Sequence, residues 1–121
     1  MMMKKENPIM VKSFAFAIRA VNLYKLLSEE RKEYVLSKQM MRSATAIGAL
    51  IRESEHAQSK ADFINKLSIS LKEANETEYW LMLLKETKYL NDIEYDSIIK
   101  DCRELLKLLI SIIKTTKNRR E

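Results

Sequence analysis

The sequence predicts an all-α fold, an antiparallel up-and-down bundle of four helices, and three observations carry that reading. The 121 residues hold one Gly and one Pro, too little turn chemistry for a sheet. At 46% hydrophobic and 32% charged, the composition matches long amphipathic helices. Apolar residues recur at gaps of three and four through four long segments. The length suits a single domain over residues 1–121 that buries its own core.

Helix one is expected over about 8–29. Asn7 supplies an N-cap and Pro8 the first turn, and Met10, Phe14, Ala17, Val21 and Tyr24 form its apolar stripe. "SEERKEYVLS" breaks that period and reads as the connection, with Ser37 as the cap of helix two, expected over about 37–56. Helix two carries Met40, Ala44, Ile47, Ile51 and Ser54 on one face. Gly48 in its middle costs about 1 kcal/mol relative to Ala. The small residues around it, Ser43, Ala44, Thr45, Ala46 and Ala49, predict that another helix approaches closely there and offsets the cost.

"SEHAQ" is the next turn. Ser59 and Asp62 then make a shortened capping box that opens helix three, expected over about 60–89. Its stripe is Ile64, Leu67, Leu71, Ala74, Glu78 and Leu81, apolar except at Glu78. A carboxylate on a seam must be paired or kept wet, and Arg42 and Arg19 are the expected partners for a structural ion pair. Asn91 suits a left-handed end to this helix, and Asp92 a cap for helix four, expected over about 92–116. Helix four has a seam of Ile98, Cys102, Leu105, Leu109, Ile112 and Thr116, with a second stripe of Ile99, Leu106, Ile110 and Ile113. One bundle buries one broad face of each helix, so the second stripe, together with parts of helix one, is expected at a contact between subunits.

Several chemistries have nothing to build on. A single Cys excludes an internal disulfide framework, and one Gly excludes a glycine-rich phosphate loop. Glu53-Ser54-Glu55-His56 has the Glu-x-x-His spacing of four-helix di-iron sites, but those sites need a second such motif, and this chain has one His. Ser-His-acid catalysis lacks a placed histidine for the same reason. No metal, no cofactor and no enzymatic activity are expected. No apolar run reaches about 18 residues, and "MMMKKENP" lacks a signal-peptide core, so a cytoplasmic protein with no membrane contact is expected.

The net charge of +5 is uneven. Residues 1–60 hold 11 Lys and Arg against 6 Asp and Glu, whereas residues 61–121 hold 11 of each. A basic first half attracts phosphate, with structured RNA or another nucleic acid as the expected partner. The candidate contacts are Lys12, Arg19, Lys25, Arg42 and Arg52, with Lys117, Arg119 and Arg120 as a tail contact. The alternative is a protein-interaction scaffold whose basic face has no nucleic-acid ligand.

The stretch "LSKQMMRSATAIGALIRESEHAQSKADFINKLSISLKEANETEYWLMLL" resembles the signature of the bacterial four helix bundle protein family, also called 23S rRNA-intervening sequence proteins and formerly S23 ribosomal protein. The most specific matches are Arg42-Ser43 with Ile47-Gly48-Ala49, then Ala57-Gln58-Ser59-Lys60 before Asp62-Phe63, then Glu73-Ala74-Asn75-Glu76-Thr77-Glu78. The similarity runs from "NPIMVKSFAFAIRAVNLYKLL" to "SIIKDCRELLKLLISIIKT". The chain departs at Leu50, where the family usually has Asn. The resemblance implies an antiparallel four-helix bundle in a ring-like homo-oligomer, since members of the broader fold form pentamers. Some genes of the family lie in sequences that interrupt large-subunit ribosomal RNA. A related fold serves diversity-generating retroelements as an accessory protein that binds nucleic acid and a reverse transcriptase, which makes a partner protein a further expectation.

Overall fold

The computed structural model describes residues 7–119 and contains four helices: α1 (Pro8–Lys25), α2 (Leu36–Ser54), α3 (Lys60–Glu86) and α4 (Asp92–Asn118). No strand occurs among the described residues. A single π-helical turn, Leu26–Glu30, extends α1. Each connection is short, residues 31–35, 55–59 and 87–91, as expected between neighbouring antiparallel helices. The cross-helix bonds run in opposite orders along each pair: Ser43 with Thr77 and Ile47 with Ser70 join α2 to α3, and Lys12 with Glu104 and Arg19 with Ser97 join α1 to α4. The chain is therefore an up-and-down four-helix bundle. No helix among the described residues is long and apolar enough to cross a membrane.

The seam between α2 and α3 is built from small side chains. Thr77 donates from Oγ1 to Ser43 Oγ at 2.8 Å, and Ser70 Oγ donates to the Ile47 carbonyl at 2.9 Å. All three hydroxyl side chains are fully buried, and no buried side-chain polar atom among the described residues lacks a partner. On the other flank of α2, a Cβ placed on Gly48 would lie 3.3 Å from the Ser13 carbonyl oxygen. Ser13 is itself buried in α1. Gly48 thus marks where α1 crosses α2 so closely that even a Cβ would press on the Ser13 carbonyl. The expected close approach is present, and the helix that makes it is α1.

Helix α1 buries Ile9, Ser13, Phe16 and Ala20, with Leu27 continuing the face in the π turn. The expected stripe lay one residue later, and its Phe14 is 66% exposed. The cause is composition. Ten of the thirteen residues from Ile9 to Val21 are apolar, so gaps of three and four fit more than one face of this helix. Val11, at 56% exposure, and Ile18, at 49%, join Phe14 on the face directed away from the core.

Helix α4 differs in the opposite sense. Ile99, Leu106 and Ile113, expected between subunits, are buried in the chain's own core, and only Ile110 is exposed, at 53%. Packing against both α3 and α1 gives α4 an apolar arc wide enough to absorb both expected stripes. The apolar face left over belongs to α1.

The connections hold two further corrections. Ser37 does not cap α2; Glu33, only 7% exposed, does so from the preceding turn. Its carboxylate accepts from the backbone N–H groups of Val35 at 3.1 Å, Leu36 at 3.0 Å and Ser37 at 2.6 Å. Ser37 returns a bond from its hydroxyl to the Glu33 carbonyl at 2.7 Å. Burial works to raise the Glu33 pKa, but the three N–H donors outweigh it and hold the carboxyl below its ordinary value. At the end of α3 the left-handed residue is Lys88, with φ 69°, not Asn91. Asn91 instead caps α4 in a full capping box with Glu94.

Two stability tests follow from these contacts. Gly48→Leu should destabilise the fold by about 1–3 kcal/mol through overpacking at the crossing. Gly48→Ala should stay within about 1 kcal/mol of wild type, because its gain in helix propensity offsets a small shift of Ser13. Urea unfolding monitored by circular dichroism measures both. Glu33→Ala should cost about 0.5–2 kcal/mol at neutral pH, the range for a lost helix cap. A folded-state pKa below the unfolded one gives stability that is present above the unfolded pKa and lost as pH falls through the folded pKa. The gap between wild type and Glu33→Ala should accordingly shrink on acidification below about pH 4.

Candidate nucleic-acid interface

Three of the cations proposed from sequence already have partners. Lys12 meets Glu104 at 3.0 Å, and Arg19 meets Asp101 at 2.6 Å while its other nitrogen donates to Ser97 Oγ at 2.9 Å. Arg42 bridges Glu76 at 2.6 Å and Glu73 at 3.3 Å. Trp80 donates from Nε1 to the same Glu76 carboxylate at 3.0 Å, and together the indole and Arg42 hold that carboxyl below its ordinary pKa. These contacts fasten α1 to α4 and α2 to α3. Phosphate would have to compete with a carboxylate at each of them.

Glu78 does not pair with Arg42 or Arg19. It accepts from Arg103 Nε on α4 at 2.8 Å. The pair is half open to solvent, so Glu78→Ala should cost only about 0.2–1 kcal/mol. Both expected partners are occupied elsewhere, and α4 supplies a third that the sequence reading overlooked.

Of the remaining candidates, Lys25 and Arg52 are exposed and form no ion pair among the described residues. Lys117 and Arg119 are exposed at the end of α4, where Lys60 Nζ donates to the Arg119 carbonyl at 2.6 Å. Arg120 lies outside the described residues. His56 is exposed on the turn after α2. No cluster of three or more metal-ligating side chains occurs among the described residues. Cys102 is buried, and its thiol is pushed up to about 12, chiefly by that burial, which keeps it protonated and unreactive.

The largest run of cations is one that whole-half charge counting concealed. Lys100, Arg103, Lys107, Ile110, Lys114 and Lys117 follow one another at gaps of 3, 4, 3, 4 and 3 along α4, and all six are exposed. They share the flank of α4 that faces α3, where Glu78 reaches Arg103. The acids of α4 lie elsewhere: Asp101 and Glu104 turn to α1, and Asp92 and Glu94 sit in the first turn. Asp96 stands at the head of the strip, one turn before Lys100. From Lys100 to Lys117 α4 itself places no acid in the strip, and Glu78 of α3 pairs with Arg103 there. The zero net charge of residues 61–121 hid a sorting by face, which reading α4 at helical spacing would have exposed.

A second surface adjoins the crossing of α1 and α2. Met10, Phe14 and Ala17 face Thr45, Ala49 and Arg52 across an open, largely apolar cleft of about 460 Å³, floored by Gly48 and Ser13. Together with Val11 and Ile18 it forms a continuous apolar area on the side away from α4.

A search of curated proteins finds no match. Among solved structures, the bundle is similar to a crystal structure of a protein of unknown function from the S23 ribosomal protein family of Bacteroides thetaiotaomicron VPI-5482, with 63% sequence identity and a TM-score of 0.87. The similarity covers 88% of this chain and 98% of that one. The family model for 23S rRNA-intervening sequence proteins matches residues 5–111. With the bundle, the small-residue crossing and that match together, the chain belongs to the 23S rRNA-intervening sequence protein family.

Proposed function

We propose that this chain is a non-catalytic, self-assembling bundle that binds nucleic acid, structured RNA in the first place, through its phosphates. The strip from Lys100 to Lys117, in which Arg103 is paired with Glu78 and the four lysines form no ion pair among the described residues, carries the reading. Its lysines extend into solvent, and the acids of α4 that could neutralise them are turned to α1 or gathered at the helix start. Bases would go largely unread, because the strip offers point charges and one isoleucine. The family's description concerns sequences that interrupt ribosomal RNA, which agrees with an RNA ligand. No catalytic step belongs to this reading: the one histidine is on an exposed turn and the one thiol is buried and protonated.

Self-assembly is assigned to α1 rather than α4. A helix that is apolar on all sides is ordinarily covered on all sides. Val11, Phe14 and Ile18 are the side chains that a neighbouring subunit would cover, and a closed ring, of which a pentamer is one form, would repeat the basic strip around the assembly. The cleft beside them also favours a second reading, a scaffold for a partner protein whose apolar helix lies against α1 and α2.

Mobility-shift titrations with structured ribosomal RNA fragments test the ligand. Affinity should fall steeply between about 50 and 200 mM salt, as phosphate contacts require. No complex at low salt from an assembled protein would leave the scaffold reading in its place. Light scattering tests the assembly: wild type should be larger than a monomer, and Phe14→Glu with Ile18→Glu should be monomeric with unchanged helix content. A monomeric wild type would overturn the assembly.

A further inference from the structure

The strip on α4 has a shape as well as a charge. It divides into Lys100 and Lys107, with Arg103 between them held through its Nε by Glu78, at one end and Lys114 and Lys117 at the other, with Ile110 separating the two groups. At 1.5 Å per residue the strip is about 26 Å long, and the step from Lys107 to Lys114 is about 10 Å. Successive phosphates on a single strand present no gap of that kind. A duplex does: its two backbones run on either side of a groove, the major groove of about 12 Å in B-form DNA and the wide, shallow minor groove in A-form RNA. We propose that α4 grips double-stranded nucleic acid, with its two cation groups on the phosphates flanking one groove and Ile110 over the groove itself. This rests on the reading that the chain binds nucleic acid and names the form that it binds.

Two further observations favour the duplex. Binding to single strands depends on aromatic rings interleaved with the cations, on which unpaired bases stack. The exposed aromatic residues among those described are Phe14, Tyr34, Tyr79 and Tyr89, and none stands in the strip. The strip is also rigid and straight. It lies on one uninterrupted 27-residue helix whose opposite face is packed into the core from Tyr95 to Thr116. A flexible strand would have to be ordered along such a line, whereas a duplex already holds its phosphates in place. Over the groove, Ile110 offers no hydrogen bond to a base edge, so binding follows helix form and ignores sequence.

Fluorescence anisotropy on the full chain tests the proposal, using labelled 20-base-pair RNA and DNA duplexes and unstructured single strands of equal phosphate number. Both duplexes should bind on the order of tenfold more tightly than the single strands, and scrambling the sequence should change affinity less than about threefold. The tighter of the two duplex arms identifies RNA or DNA as the source. Lys107→Ala with Lys114→Ala should lower the slope of log affinity against log salt by about 1.8 for each subunit in contact with a B-form duplex. Lys38→Ala with Lys72→Ala, exposed lysines outside the strip, should leave that slope unchanged. Circular dichroism confirms that both variants keep their helices. Single strands that bind as tightly as duplexes, or a slope that falls with the Lys38 and Lys72 variant instead, would overturn the duplex rail while leaving nucleic-acid binding in place. Failure of every nucleic acid to bind at low salt would overturn the functional reading and this proposal with it.

Discussion

The carbonyl of Ser13 and the bare Cα of Gly48 bring α1 and α2 together so closely that a Cβ at position 48 would lie 3.3 Å from that oxygen. On its other flank, α2 meets α3 through Ser43, Ser70 and Thr77, where a small hydroxyl side chain stands at each step. Helix α2 is thus held on both sides by contacts that need small residues. Small residues bury little apolar area, so larger side chains must provide the hydrophobic stabilisation: Phe16, Met40, Ile47, Leu67, Leu81 and Leu109 are fully buried around that framework. Ion pairs then fasten the rim, with Arg31 in a bidentate pair to Glu94 at 2.9 and 2.6 Å where α1 ends and α4 begins.

This division of labour explains which parts of the fold were legible in the sequence. Four helices, their order and the crossing at Gly48 followed from periodicity and from the cost of a glycine in mid-helix. The inward face of α1 did not, because near-continuous apolarity from Ile9 to Val21 removes the contrast that periodicity relies on. The cap of α2 was also hidden. Glu33 acts from the preceding turn after Lys32 adopts φ 59°, and no local motif announces a glutamate folding back onto three backbone donors. The π turn at Leu26–Glu30 adds to the concealment, since it shifts the helical register just before that connection.

The candidate site was legible only in part, and for an electrostatic reason. Sequence gives the number of charges, whereas binding depends on which of them lack partners. Lys12, Arg19 and Arg42 belong to the basic half of the chain, yet their guanidinium and ammonium groups hold helices together. The lysines of α4 come from a half with no net charge and point outward, because the acids of that helix were placed toward α1. The same carboxylates that neutralise one face leave the four lysines of the other without an ion pair among the described residues, where only Arg103 meets an acid, Glu78 of α3.

The single tryptophan gives this architecture an optical readout. Trp80 is partly buried against the core on the α2-facing flank of α3, with its indole N–H on Glu76 and its ring edge-on to Tyr79 at a centroid distance of 5.1 Å. Its emission therefore follows the pairing of α2 with α3. Fraying of α1 alone would leave that pairing intact and the spectrum nearly silent. Exposure of the indole to water, seen as a red shift, would report that the α2–α3 seam of the framework has come apart.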